Sequence, residues 1–316
     1  MKVAVTGAFG FIGSHLLPVL ISVGHEVAAS VEPGNGSRVV GVRTFPANVT
    51  TSEGLAEGFS GVNAVVHLAA RNHVIKEADK DPLSAYRLVN VEGTVNVFRS
   101  AYRAGAGLMI HLSSVKAMGE GSDYMMDENT PCAPRTAYGI SKLESEGALK
   151  ALAAESKMRV VILRLPMVYG PRNKGNLPRM IRWANRGLPF PLFQPDNLRS
   201  MIYVENVVAG VLASIQKAPE GISTYILKDR EDYSTRTVYS AICRELGIPP
   251  RLFPVPATLV RLGGMLSGDF RKVTGSFRVS SEKIERELGF SPPLSMEEGI
   301  ARTVEWYKRS VQSRSV

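Results

Sequence analysis

The chain has 316 residues and a formal net charge of +9, with 44% hydrophobic and 21% charged residues. That length can bury a substantial core in one large domain or two closely packed ones, and no apolar run approaches the ~18 residues of a bilayer-spanning helix. Cys132 and Cys243 lie far apart and without metal-ligand spacing, which argues against a disulfide framework or a zinc site. Basic residues are spread along the chain, with modest concentrations from Arg159 to Arg186 and near the C-terminus, so the charge reads as a solvated surface and not as a nucleic-acid arm.

The segment KVAVTGAFGFIGSHLLPVLISVGHEVAASV predicts a strand over Lys2–Thr6, a helix over Phe11–Val23 ended by Gly24, and a second strand over Glu26–Val31. It lacks the apolar stretch and cleavage site of a secretory signal, so a cytoplasmic protein is expected. Gly7, Gly10 and Gly13 stand where strand becomes helix, so backbone amides and the helix N-terminus can receive a pyrophosphate with no Cβ in the way. The spacing is G-x-x-G-x-x-G, not the common G-x-G-x-x-G. An acid at the end of the second strand would hold a ribose 2′-hydroxyl, whereas basic and small residues would hold a 2′-phosphate. Val31 occupies the acid's place, Glu32 follows one place late, and Ser37 and Arg38 come next, a set that leans slightly to NADP with tolerance of NAD.

Further strands are predicted in VRTFPANV and VNAVVHLAA, with a short helix from Ser52 to Phe59 between them. A long helix follows over Asp81–Ala104 with Pro82 in its first turn, then a strand over Leu108–Leu112, a helix over Thr136–Ser156 and the strand RVVILRL. This alternation predicts an α/β fold with a doubly wound parallel sheet and a ligand across the carboxyl ends of its strands. The run LMIHLSS closes on Ser114, and Tyr138 and Lys142 share a helix face. An ammonium beside a phenol lowers the phenol's pKa, and a phenol so tuned exchanges a proton with a sugar or alcohol hydroxyl that Ser114 can hold. Alone, a YxxxK pair fixes only two residues and is equally well explained by chance. His67, His73 and His111 read as residues without a catalytic part, and Asn90 by spacing is a polar residue in a long helix.

In order, TGAFGFIG, HLAA, NVEGT, LSS, YGISK and LRLPMVYGP resemble the extended short-chain dehydrogenase/reductase family, in its nucleotide-sugar epimerase, dehydratase and ketoreductase branch. The resemblance continues to ERELGFSPPLSMEEGIARTVEWY near the C-terminus. It implies a Rossmann domain over 1–165 and 201–229, and a smaller, discontinuous α/β substrate lobe over 166–200 and 230–316. It makes Ser114, Tyr138 and Lys142 the catalytic triad. The cofactor is implied to contact Gly7, Gly10, Phe11, Ile12 and Gly13 at the pyrophosphate, Asn48 and Val49 by the adenine, and Leu68, Ala69 and Ala70 along its middle. Arg38 joins this set from the ribose end, and Asn90 supports the active lysine. For the substrate, Asn176 and Leu177 resemble a diphosphate and uridine contact, Phe193 the wall beside the base, and Arg199 the diphosphate arginine. A guanidinium suits phosphate oxygens because it donates in a planar fork. Without the resemblance Arg199 reads as a surface salt bridge, and TLVRLGGML reads as a core-facing helix. A homodimer through the helices near Leu83–Ala104 and Ala137–Ser156 is also implied.

Departures from the family pattern bear on the reaction. The Asp-Glu pair of 4,6-dehydratases is replaced by Val115 and Lys116. The tyrosine and asparagine common in hexose 4-epimerases are replaced by Met118 and Met167. The leading expectation is therefore reduction at C4 of a UDP-linked 4-keto(-6-deoxy) hexosamine. The alternative is a UDP-hexose or hexosamine 4-epimerase holding NAD tightly. A basic, non-catalytic RNA-binding protein on the same fold is a third reading, opposed by the intact triplet and by the lack of a basic patch interleaved with aromatic residues.

Overall fold

The computed structural model describes residues 1–34, 39–72, 81–122, 124–192, 197–255 and 275–312. Ser37, Arg38, His73, Phe193 and the TLVRLGGML segment lie outside the described residues. The first half of the chain comprises β1 (Lys2–Thr6), α1 (Phe11–Ser22), β2 (Glu26–Val31), β3 (Val42–Pro46), α2 (Leu55–Gly58), β4 (Ala64–His67), α3 (Pro82–Arg87), α4 (Gly93–Arg103), β5 (Leu108–Ser114), β6 (Met125–Met126) and α5 (Ala137–Ala154). The second half comprises β7 (Arg159–Leu165), β8 (Met167–Tyr169), α6 (Asn176–Asn185), β9 (Phe190–Leu192), β10 (Arg199–Tyr203), α7 (Val204–Lys217), β11 (Ile222–Ile226), β12 (Asp232–Tyr233), α8 (Thr235–Leu246), β13 (Leu252–Pro254), β14 (Arg278–Val279), α9 (Glu282–Leu288) and α10 (Met296–Gln312).

Seven parallel strands form one sheet in the order β11-β7-β5-β4-β1-β2-β3. Successive side chains alternate across it, so both faces of these apolar strands are covered. Val3, Val5, Ile110 and Leu163 pack with Leu16 and Leu20 of α1 and Val207 and Val211 of α7. Ala4, Val65, Met109 and Ile162 pack on the other face with Val97, Phe98 and Leu149 of α4 and α5. The chain moves outward from β1 to β3 and then returns to the other side of β1 as β4. The switch point between β1 and β4 opens a crevice at the carboxyl edge. A smaller sheet of β12, β10 and β8 stands beside it. There the buried Asp229 carboxylate accepts from Tyr169 Oη at 2.8 Å, Asn206 Nδ2 at 2.7 Å and the Tyr203 amide at 3.0 Å.

The single helix expected over Asp81–Ala104 is a correction. The structure interrupts it with a π-helical turn over Leu88–Glu92, between α3 and α4. The extra residue turns Asn90 inward, where it is 1% exposed; π-turns occur often at functional sites.

α5 starts on a Thr136 cap whose hydroxyl accepts from the Gly139 amide at 3.2 Å. Its sheet-facing side is unusually polar: Ser141, Lys142, Ser145 and Glu146 are all buried. Glu146 meets Arg164 of β7, with Nη2 at 2.7 Å from Oε2 and Nε at 3.1 Å from Oε1, and the Ser113 hydroxyl donates to Oε1 at 2.5 Å. The pair is 3% and 0% exposed, so removing one partner leaves an uncompensated charge in the interior. Glu146→Ala should therefore lower folding stability by about 3–5 kcal/mol. Glu144→Ala, which breaks only the exposed Arg87 pair, should change stability little. Urea denaturation of both variants reads the contrast, and equal losses would contradict it.

Candidate active site

β1 passes into α1 through a turn whose backbone has no room for side chains. Gly7 has φ of +66°, and a Cβ there would stand 2.6 Å from the Ala69 amide nitrogen. Gly13 sits so close to the preceding turn that a Cβ would lie 2.2 Å from the Ala8 carbonyl oxygen. Gly10 caps α1 with extended backbone, which aims the helix N-terminus into the crevice. This cradle fits a dinucleotide pyrophosphate, since free amides and the helix dipole both favour an anion.

The crevice runs the width of the switch point. At one end Ser30, Val31, Glu32, Asn48 and Val49 form its wall. Leu68, Ala69 and Ala70 line its middle, with Phe11, Ile12 and the glycines opposite. At the other end stand Ser114, Tyr138 and Lys142. Sequence reasoning thus grouped residues that the fold brings to one cleft. It missed Asn72, which lines both halves, and Pro166 and Val168 at the catalytic end. None of these carries a spacing signal.

Ser114 is the last residue of β5 and Tyr138 lies in the first turn of α5, so strand end and helix start bring their hydroxyls together. Ser114 and Tyr138 line the same end of the cleft, where Ser114 Oγ donates to the Leu165 carbonyl at 3.4 Å and accepts from the Lys116 amide at 3.2 Å. Burial pushes the Tyr138 phenol above its ordinary pKa, and the Ser114 hydroxyl opposes the rise. This corrects the expectation that Lys142 draws the Tyr138 pKa down: burial of the phenol outweighs any nearby cation. The Lys142 ammonium is aimed at the sheet, donating to the Leu112 carbonyl at 2.7 Å and approaching His111 Nε2 at 3.3 Å. Burial lowers its pKa to about 8, with the Glu146 carboxylate opposing.

The two strand histidines form the floor beneath Lys142. Their rings stack at 5.3 Å, and burial followed by the Lys142 charge holds both in the neutral form, with His67 lowered to about 3. Thr94 Oγ1 donates to the Asn90 carbonyl at 2.6 Å, so it accepts from His67 Nε2 at 3.0 Å, and His67 Nδ1 accepts from Thr6 Oγ1 at 2.6 Å. Asn90 Nδ2 donates to the Arg71 carbonyl at 3.1 Å and to Ser141 Oγ at 3.0 Å, tying the π-turn to the residue before Lys142. Asn90 thus reaches the helix of Lys142 through Ser141, a link that needs the π-turn to be known.

The residues assigned to substrate are more scattered. Asn176 is exposed at the start of α6, whereas Leu177 is 2% exposed and packed in the core of the smaller layer. A uridine contact at Leu177 is therefore left to its backbone. Arg199 opens β10, half-buried, with its pKa lowered by burial.

Comparison with known proteins agrees with this geometry. The model of the NAD dependent epimerase/dehydratase family matches residues 3–226. A Vibrio cholerae protein named UDP-glucose 4-epimerase is 30% identical over 312 residues, covering 96% of this chain and 94% of the relative. A protein of Escherichia coli O157:H7 named N-acetyl-alpha-D-glucosaminyl-diphospho-ditrans,octacis-undecaprenol 4-epimerase is 27% identical over 323 residues, covering 96% and 95%. Among solved structures, MoeE5 in complex with UDP-glucuronic acid and NAD is similar with a TM-score of 0.80 at 27% identity, covering 98% of this chain and 100% of that one. The chain belongs to the NAD dependent epimerase/dehydratase family and is an enzyme of the extended short-chain dehydrogenase/reductase type.

Proposed function

We propose that the enzyme exchanges a hydride at C4 of a UDP-linked sugar, and that it reduces a 4-keto(-6-deoxy) hexosamine. The placing of Ser114, Tyr138 and Lys142 in the same cleft as the glycine cradle carries this reading. A nicotinamide dinucleotide bound on the cradle supplies the hydride. Ser114 orients the C4 oxygen, and Tyr138 passes its proton to that oxygen as negative charge develops there. The raised phenol pKa keeps Tyr138 protonated, as a reductase requires. Lys142 holds the nicotinamide ribose with an ammonium hydrogen not used by Leu112. The lobe over 166–200 and 230–316 would receive the nucleotide sugar, with Asn176 and Arg199 toward its diphosphate. A homodimer would pack through α3, α4 and α5, where Tyr102 of α4 and Leu88 of the π-turn are exposed.

Glu32 in the wall of the adenosine end repels a 2′-phosphate and suits a ribose hydroxyl, so we read NAD as the cofactor, against the slight sequence lean to NADP. That same residue, with the Vibrio cholerae relative's name, favours 4-epimerisation as the second reading. An epimerase keeps its cofactor through both half-reactions. The Escherichia coli relative's name places C4 chemistry on a diphospho-undecaprenol carrier, so the substrate class is a sugar diphosphate with uridine as its leading carrier.

Three measurements test this. Tyr138→Phe should lose about 10²–10⁴-fold in kcat and keep cofactor binding; a variant with near-full turnover would remove Tyr138 from the chemistry. Nucleotide released by denaturing the purified protein separates the two directions. Stoichiometric NAD supports the epimerase, whereas an empty site with consumption of added reduced cofactor supports the reductase. The third concerns pH. Lys142 has a folded pKa of about 8 against an ordinary 10.5, so its buried ammonium costs stability below about 8 and that cost fades as pH rises to 10.5. The stability of the cofactor-free protein relative to Lys142→Met should therefore rise between those pH values. A difference in urea midpoints that stays flat across this window would contradict the burial of the charge.

A further inference from the structure

We propose that the exposed face of α6, with the adjoining β9–β13 ribbon, docks on the headgroup surface of an anionic lipid bilayer. This goes beyond the C4 chemistry, and the docking itself does not depend on that reading. Arg179, Arg182, Trp183 and Arg186 are all exposed and fall at helical spacings that place them on one stripe. Leu177, Ile181 and Ala184 bury the opposite side. Residues 171–192 add Arg172 and Lys174 and contain no Asp or Glu, and residues 246–255 hold Arg251 and no acid. Among the described residues no carboxylate pairs with Arg179, Arg182 or Arg186. These cations stand without acids in a chain whose surplus of +9 the active site does not explain.

The apolar part of the same surface sets the partner. Trp183 is 41% exposed, Leu188 42% and Phe253 46%. They stand on adjoining elements. Trp183 Nε1 donates to the Pro189 carbonyl at 3.0 Å, Phe253 pairs with Pro191 across the ribbon, and Arg251 Nη1 donates to the Gly187 carbonyl at 3.2 Å. Guanidinium groups around an indole and two aliphatic or aromatic side chains match a bilayer interface, where cations meet anionic headgroups and apolar groups enter the acyl boundary. Nucleic acid would reward the cations but leave Leu188 without a role. No helix among the described residues is long and apolar enough to cross a membrane, so the face lies on the bilayer.

The full-length protein is sedimented with vesicles of phosphatidylcholine alone and of phosphatidylcholine mixed with phosphatidylglycerol. It should bind the anionic vesicles only, and less as salt rises. Each cation at such a surface contributes about fivefold, so the Arg179→Gln/Arg182→Gln/Arg186→Gln variant should bind on the order of a hundredfold more weakly. In a Trp306→Phe background, Trp183 fluorescence should shift to the blue on anionic vesicles. A urea midpoint equal to that of the parent protein shows that the triple variant is folded. Absence of vesicle binding, equal binding to neutral vesicles, or undiminished binding by the folded triple variant overturns the proposal. So does single-stranded RNA that displaces the protein from vesicles and binds it more tightly through the same three arginines.

Discussion

Glu146, buried between α5 and the sheet, fixes the geometry on which the active site depends. Its carboxylate takes two guanidinium nitrogens of Arg164 from β7 and the hydroxyl of Ser113 from β5. It thereby pins one helix to two strands at a single point. Ser113 is the neighbour of Ser114, and Glu146 lies one helical turn beyond Lys142, itself one turn beyond Tyr138. A shift of α5 along the sheet would separate the Ser114 and Tyr138 hydroxyls and break the ion pair at the same time. A well-packed apolar pair can give equal stability, but it does not fix direction and register as a two-pronged contact does.

The catalytic groups built on that anchor are buried, and desolvation dominates their electrostatics. It raises the Tyr138 phenol, lowers Lys142 and keeps both histidines neutral. The neutral histidines matter because a second cation beside Lys142 would drive the ammonium off. Instead, His111 presents a ring nitrogen to it. His67 is locked by Thr6 and Thr94 with one nitrogen accepting and the other donating. A phenol kept protonated and a lysine whose pKa burial has lowered are both set to respond when a charged dinucleotide enters.

Much of this was legible in the sequence. The strand RVVILRL and the helix carrying Tyr138 and Lys142 fall where their apolar runs and Thr136 place them, because such buried strands and capped helices are decided locally. The glycine turn was legible because Gly7 and Gly13 meet backbone atoms that exclude any side chain. The interruption at Leu88–Glu92 was not, since a π-turn has nearly the composition of an α-helix and is selected by Asn90 finding Arg71 and Ser141, both distant in sequence. The sign of the Tyr138 shift was also hidden. Spacing reports that Lys142 is on the same face, but burial depends on what packs around both. Leu177 shows the limit of carrying a contact over from a family: its side chain belongs to the core, and only the fold reveals that.

The central claim is that hydride passes between a nicotinamide and C4 of a nucleotide sugar while Tyr138 handles the proton. The most direct measurement follows deuterium from the nicotinamide C4 of labelled reduced cofactor into a UDP-linked 4-keto sugar, with the product analysed by NMR. The account requires the label at sugar C4 and its loss in Tyr138→Phe. Deuterium at any other sugar carbon, or undiminished transfer by the Phe variant, would contradict it.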